Sequence, residues 1–220
     1  MEDIRFGHWL PKYFERDFSI IKDSVDHEES SHVGKEPDTQ TNAAELGILL
    51  AMASMRKLPL FLERQKNHDH KHTQEGTTTN KRIGFIGNGG ICGRIKEFFS
   101  LFPKTEIFAF SKTGRFGAHT MDKFDPLLPK LDIIIMAVPY SEETKHILSA
   151  ERIKNMKDGA LIVNLGKGEL IDQEELIKHL YAGRIMAALD QTTPSQLPKD
   201  HPLWDAPNTI LTPHIGTNVS

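Results

Sequence analysis

From residue 81 onward the apolar positions fall into short, evenly spaced runs, and the spacing inside each run predicts its element. Residues 83–86 read as a brief apolar strand that breaks at Gly87-Asn88-Gly89-Gly90. Behind the glycines Ile91, Ile95, Phe98, Phe99 and Phe102 recur at three- and four-residue steps, the stripe of an amphipathic helix. Residues 105–110 predict a second strand. Residues 131–138 are apolar almost without alternation, the mark of a strand covered on both faces. Ser141 is placed to cap a short helix with Glu142 and Glu143 in its first turn. A helical piece over 149–157 leads to a strand at 160–164. Asp172 then caps a helix, with Glu175 three residues on and Gly183 closing it, and 185–189 and 209–211 are two more strands.

Strands alternating with helices imply an α/β protein of the Rossmann type. That is a doubly wound parallel sheet, here with strand 83–86 central and ligands at the C-terminal strand ends. Upstream the pattern changes. Ala43, Ala44, Leu46, Ile48, Leu49, Leu50, Ala51, Met52, Ala53 and Met55 leave a helix with hardly a polar face. Such a helix belongs between domains or in a subunit interface. Thr41 or Asn42 is a candidate cap with Glu45 as the capping-box acid, and Pro59 marks an end or a kink. Residues 4–6 and 18–21 predict short strands, 22–40 are charged and polar, and 67–80 form a polar linker. His27, Glu28, Glu29 and His32, like His68, His70 and His72, lack the fixed ligand spacing that zinc requires, and no metal is expected.

Composition mainly removes alternatives. A chain of 220 residues suits one large domain or one and a half, and 38% hydrophobic with 26% charged residues is ordinary globular usage. A net charge of −3 gives no reason to invoke nucleic acid or an acidic membrane. One cysteine excludes an internal disulfide. Residues 1–10 contain no signal-peptide core, and the apolar stretch 46–55 is too short to span a bilayer. A cytoplasmic protein is expected.

The candidate chemistry starts at the glycines. Gly87 permits the sharp bend, Gly89 lets the backbone approach a pyrophosphate, and the helix N-terminus behind them offers N–H groups to the phosphates. The third glycine of G-x-G-x-x-G is Cys92, a small residue that still allows close helix–strand packing. An acid at the end of the second strand would bond an NAD ribose. That end instead reads Ser111-Lys112-Thr113-Gly114-Arg115, which suits a 2′-phosphate and favours NADP over NAD.

Further motifs follow in order: Val138-Pro139-Tyr140-Ser141-Glu142-Glu143-Thr144, Val163-Asn164-Leu165-Gly166-Lys167-Gly168, Ala188-Leu189-Asp190, and Thr212-Pro213-His214-Ile215-Gly216. With the glycine turn, they make the chain resemble the D-isomer-specific 2-hydroxyacid dehydrogenases, which include glyoxylate/hydroxypyruvate reductases and phosphoglycerate dehydrogenases. The resemblance runs from about Asn42 to the C-terminus. It implies hydride transfer between NAD(P)H and a small 2-oxo acid, with no nucleic-acid or membrane partner. It also implies a homodimer formed through the 43–55 helix. The cofactor-binding positions it implies are Gly87, Asn88, Gly89, Gly90, Ile91, Ser111, Lys112, Arg115, Val138, Pro139, Thr144, Leu165, Gly166, Lys167, Asp190, His214 and Gly216.

The family's catalysts are an Arg that clamps the substrate carboxylate, a Glu that orients and charges an imidazole, and the His that moves the proton. Carried over, these positions hold Lys167, Ser195 and His214. Two of the three chemical groups are replaced. The substrate domain also lacks its usual length before Thr41, so the expected division is 1–40 for what remains of that domain, 41–80 for a crossing helix and linker, and 81–220 for the cofactor domain. Whether the chain is a reduced form or a piece of a longer one stays open. So does the choice between an active oxidoreductase and a catalytically weak or silent NAD(P)-binding protein with a sensing or interaction role.

Overall fold

The strand segments are β1 (Arg82–Ile86), β2 (Glu106–Ser111), β3 (His119–Thr120), β4 (Ile133–Met136), β5 (Leu161–Asn164), β6 (Met186–Leu189) and β7 (Thr209–Leu211). In the computed structural model, which describes residues 39–73 and 76–216, they form a 7-stranded sheet in the order β3-β2-β1-β4-β5-β6-β7. Every neighbouring pair is parallel. β1 lies inside the sheet, flanked by β2 and β4, as the apolar run at 83–86 predicts. The order reverses direction there, which opens a crevice at the C-terminal ends of β1 and β4. The strands and metal clusters considered for residues 1–38 fall outside the described residues.

The helices are α1 (Thr39–Met55), α2 (Leu58–Lys66), α3 (Gly90–Ser100), α4 (Phe124–Leu127), α5 (Ala150–Asn155) and α6 (Gln173–Tyr181). Successive strand side chains divide between the two faces. Ile133 and Ile135 of β4 join Ile83, Phe85, Cys92, Ile95, Phe99 and the α1 residues Ala44, Leu50 and Ala51 in one cluster. Ile134 and Met136 join Phe110, Phe124, Leu128, Ile153, Leu176 and Leu180 in the other. A strand buried on both faces is therefore apolar throughout, and the helices sort themselves by face. Burying each large side chain fully, as Phe85, Phe99, Phe110 and Phe124 are buried, contributes roughly 1.5–3 kcal/mol.

Several local expectations are corrected. Helix α1 starts at Thr39, so Thr41 and Asn42 lie within its first turn and are not its caps. It is also not buried all round. Ala43, Ala44, Leu46, Gly47, Leu50, Ala51, Ser54 and Met55 are covered, whereas Leu49 is 58% exposed. The outer face is apolar as well, which is why the sequence shows no polar stripe. Between α1 and α2 the chain turns at Lys57 (φ 53°), and Pro59 falls in the first turn of α2, where a missing N–H costs nothing.

Residues 142–146 form turns in place of the short helix expected after Ser141. The Thr144 hydroxyl takes the Ser141 N–H at 2.7 Å and donates to the Pro139 carbonyl at 2.9 Å. His146 then adopts φ 47°, and its N–H goes to the Glu169 carbonyl. Side-chain bonding to the local backbone has outcompeted the helix. At α6, Asp172 Oδ1 does accept the Glu175 N–H at 3.1 Å. The reciprocal half of the box is not made, because the Asp172 N–H bonds the Leu148 carbonyl and Glu175 pairs with Lys178 and Lys154.

Candidate cofactor and catalytic site

The glycine turn lies at the crevice. Gly87 has φ 115°, and a Cβ on it would stand 2.7 Å from the Ala137 carbonyl oxygen. Only glycine fits there. Its N–H donates to the Phe110 carbonyl at 2.9 Å, so the turn threads between the ends of β2 and β4. Gly89 begins α3 without a side-chain cap, and nothing lies within 4 Å of the Cβ it lacks. The first N–H groups of α3, which have no acceptor inside the helix, therefore face open space on the Gly89 side, while the Gln40 side chain lies against Gly90. Asn88 Nδ2 donates to the carbonyls of Arg115 (3.3 Å) and Phe116 (3.0 Å), and its Oδ1 accepts from Lys96 Nζ. Burial pulls the Lys96 ammonium below the ordinary lysine range. Cys92, in place of the third glycine, is fully buried, and burial pushes its thiol up to about 11, so it packs and does not react.

The end of β2 carries Ser111, whose Oγ accepts the Gly114 N–H at 3.1 Å, followed by exposed Lys112 and Arg115. On the far side of β1, Val138, Pro139 and Thr144 follow β4, with the Thr144 hydroxyl holding that turn closed.

At the ends of β5, β6 and β7 two buried polar side chains shape the backbone. Asn164, 0% exposed, donates Nδ2 to the Lys167 carbonyl and accepts the Gly166 N–H on Oδ1, both at 3.1 Å. The chain bends off β5 so that Leu165 stays covered and Lys167 stands exposed. Gly168 packs against the backbone that follows β6, with a Cβ there falling 2.6 Å from the Thr192 carbonyl oxygen. Asp190, 2% exposed, receives Thr212 Oγ1 (2.6 Å) and the Ile215 N–H (2.9 Å) on Oδ1 and the Gly216 N–H (3.0 Å) on Oδ2. The His214 N–H donates to the Asp190 carbonyl at 2.9 Å. Asn42 of α1 donates to the carbonyls of Ile215 and Gly216, at 3.3 Å each. His214 itself has φ 56° and an exposed side chain at the rim.

Lys167, Ser195 and His214 thus follow adjacent strands β5, β6 and β7 and reach the same rim of the sheet. Ser195 is exposed and makes no side-chain hydrogen bond among the described residues. Its loop is held to α6 instead, through the Thr193 N–H on Gln173 Oε1 at 2.9 Å. Sequence reasoning missed the positioning roles of Asn164 and Asn42. The signal for Asn164 was a polar residue ending an otherwise apolar strand; Asn42 was misread as a cap. Among the described residues no group of His, Cys, Asp or Glu is arranged to hold a metal ion, and no helix is long and apolar enough to cross a membrane.

Residues 48–216 match the family model for the D-isomer specific 2-hydroxyacid dehydrogenase, NAD binding domain. The chain belongs to the D-isomer specific 2-hydroxyacid dehydrogenase family. It is 33% identical over 187 residues to glyoxylate/hydroxypyruvate reductase B of Pectobacterium atrosepticum, covering 79% of this chain and 58% of that protein. It is 30% identical over 224 residues to glyoxylate reductase/hydroxypyruvate reductase of Mus musculus, covering 92% of this chain and 67% of that one. Among solved structures, an acyclic imino acid reductase in complex with NADPH and D-Arg superposes with a TM-score of 0.74 at 28% identity, over 83% of this chain and 60% of the other. The chain therefore spans little more than half of the bacterial relative and two thirds of the mouse one. The glycine turn lies within the stretch matched by that NAD-binding model, with open space beside Gly89.

Proposed function

We propose that this chain is a nicotinamide-dependent oxidoreductase acting on a small 2-hydroxy acid, or reducing a 2-oxo acid such as glyoxylate or hydroxypyruvate, and that it favours NADP(H) over NAD(H). One observation carries the reading. The Asp190 carboxylate holds the Thr212 hydroxyl before His214 and the Ile215 and Gly216 N–H groups after it, which fixes the segment that carries the exposed His214. The names of the relatives from Pectobacterium atrosepticum and Mus musculus support the substrate class.

In this reading Gly87 makes the bend, Asn88, Gly89, Gly90 and Ile91 hold the pyrophosphate through backbone N–H groups, and Ser111, Lys112 and Arg115 take the 2′-phosphate. Val138, Pro139 and Thr144 border the crevice on the β4 side, while Leu165, Gly166, Asp190 and Gly216 frame its other end. The bound reduced nicotinamide supplies the hydride. His214 delivers the proton to the carbonyl oxygen, or takes it from the hydroxyl in the reverse direction. Lys167 meets the substrate carboxylate as a point charge, without the fork an arginine offers. Residues 81–220 form the cofactor domain and 41–80 the crossing helix and linker, with 1–40 assigned to the substrate domain. The exposed apolar side chains Leu49, Leu58 and Leu62 of α1 and α2 support a homodimer, and the proposed setting is cytoplasmic.

A second reading is favoured by Ser195, which offers a hydrogen bond and no charge where the family pattern places a glutamate. A protein that binds NAD(P)H with little or no turnover accords with that. Rates of glyoxylate reduction separate the two readings, measured for the wild type, Lys167→Arg, Ser195→Glu, the double variant and His214→Ala. Active chemistry predicts that His214→Ala removes turnover. The double variant should gain more than the product of its single gains, because the groups act together and each positioned group supplies on the order of 10²–10⁴ in rate. Turnover that ignores the loss of His214 sinks the mechanism, whereas cofactor binding with no turnover in any variant establishes the second reading.

A further inference from the structure

One polar contact at the crevice has no role in the fold. β2 and β4 are the two neighbours of β1, so a bond between the segments leaving their C-terminal ends must cross in front of the turn at Gly87–Gly90. Lys112, directly after β2, and Glu143, in the turn after β4, make that bond, with Nζ 2.6 Å from Oε2. The lysine side chain is 79% exposed and the glutamate 67%. A pair this wet adds little to stability. Its two ends are nonetheless well placed. Lys112 follows Ser111, whose Oγ is tied to Gly114, and Glu143 precedes Thr144, whose hydroxyl fixes the turn to Pro139 and Ser141.

The strand-end acid that bonds an NAD ribose is absent from β2, yet the fold brings the Glu143 carboxylate, from the other side of β1, to 2.6 Å from the lysine that follows β2. We propose that Glu143 is a specificity-determining residue for the cofactor. The proposal rests on the NADP(H) reading above and adds a counterweight to it. A 2′-phosphate is an oxyanion that competes with Glu143 for the same ammonium and is repelled by the carboxylate itself. A ribose 2′-hydroxyl can donate to that carboxylate and leave the ion pair standing. Lys112 and Arg115 therefore draw the chain toward NADP(H), and Glu143 holds it back so that NAD(H) remains usable.

The test is equilibrium titration of the full chain with NADPH and with NADH, for the wild type, Glu143→Gln, Lys112→Gln and the double variant. All these side chains are exposed, so the variants should fold, and circular dichroism checks it. Glu143→Gln should tighten NADPH about 2- to 5-fold, the range for one exposed ion pair, and loosen NADH by a similar factor. Lys112→Gln should loosen NADPH about 10-fold, as for a lost charged hydrogen bond. In the Lys112→Gln background the Glu143 change should have a much smaller effect on NADPH. If Lys112→Gln loosens NADPH while Glu143→Gln changes neither cofactor, the role given to Glu143 is overturned and the NADP(H) reading survives. If the wild type binds both cofactors equally and Lys112→Gln changes nothing, the NADP(H) reading fails and this inference fails with it.

Discussion

The two halves of the site are built by different means. At the end of β1 the backbone does most of the shaping: Gly87 bends, Gly89 leaves space, the N-terminus of α3 supplies donors, and the Asn88 side chain ties the turn to its neighbours. At the ends of β5 to β7 buried side chains do it, with Asn164 and Asp190 gripping loops whose outward residues include Lys167 and His214. A site made of backbone tolerates a changed side chain, as Cys92 shows in place of the third glycine. A site made of buried clamps tolerates changes only on its exposed side, and Lys167 and Ser195 are on that side. The departures from the family's catalytic pattern therefore fall where they disturb the fold least.

The largest expected effect tests the clamp. Asp190→Ala leaves the Thr212 hydroxyl and the N–H groups of Ile215 and Gly216 without their acceptor in a closed space. The cost should be on the order of 3–5 kcal/mol, since each neutral donor left without its acceptor costs roughly 1–3 kcal/mol, and the melting temperature should fall by roughly 10 °C. Calorimetry of the variant settles it. A loss below about 1 kcal/mol would mean that the 212–216 segment is held by something other than this carboxylate. Lys167→Arg and Ser195→Glu, at exposed positions, should each move stability by less than about 0.5 kcal/mol.

How much of this was readable beforehand follows the same division. The glycine turn, the doubly buried strand 131–138 and the helix after Asp172 were legible because backbone requirements and burial leave direct marks in sequence. His214 was legible only through the family pattern, since nothing in its neighbours' chemistry marks a proton carrier. The grip of Asp190 was hidden, because its partners lie more than 20 residues downstream and most of them are backbone groups. Glu143 was read as a helix-start acid, and its approach to Lys112 depends on which strands lie side by side. The strand β3 was missed altogether, since two residues carry no periodicity.

A smaller effect is expected at the backbone-built half. Gly87→Ala forces a side chain into φ 115° against the Ala137 carbonyl, a strain on the order of 1–3 kcal/mol. NADPH affinity should drop by roughly 10-fold or more, while the Asp190 clamp is untouched. Fluorescence titration of the reduced cofactor reads the change. Full affinity in this variant would show that the turn is more pliable than its packing indicates.

A smaller effect than at Gly87 is expected at the opposite, N-terminal rim, which serves as the reference for both halves. Asp132 directly precedes β4 there, its Oδ2 accepting the Arg82 N–H at 2.9 Å and its Oδ1 meeting Lys157 Nζ at 2.7 Å. Burial works against ionisation of this carboxyl, but the Arg82 N–H, Lys157 and Lys81 outweigh it and hold the group below the usual carboxylate range. A folded-state pKa below the unfolded one contributes stability that is present above about pH 4 and lost as pH falls further. Asp132→Asn should cost about 1 kcal/mol at neutral pH and flatten the acid limb of the stability curve, with cofactor titration unchanged. An altered cofactor affinity in this variant would show that the two rims of the sheet are coupled.

The strand order leaves β3 and β7 as the outermost members of the sheet. An open parallel sheet with long apolar margins recruits strands from other molecules and aggregates. Here one margin spans only His119–Thr120, and the other only Thr209–Leu211. The second is bracketed by Pro207 and Pro213, neither of which can donate a ladder bond, and by Asn208 turned to φ 55°. A newcomer strand would find a register of a few residues and then a break. Among the described residues, the hydrophobic sheet thus has both of its seams already stopped.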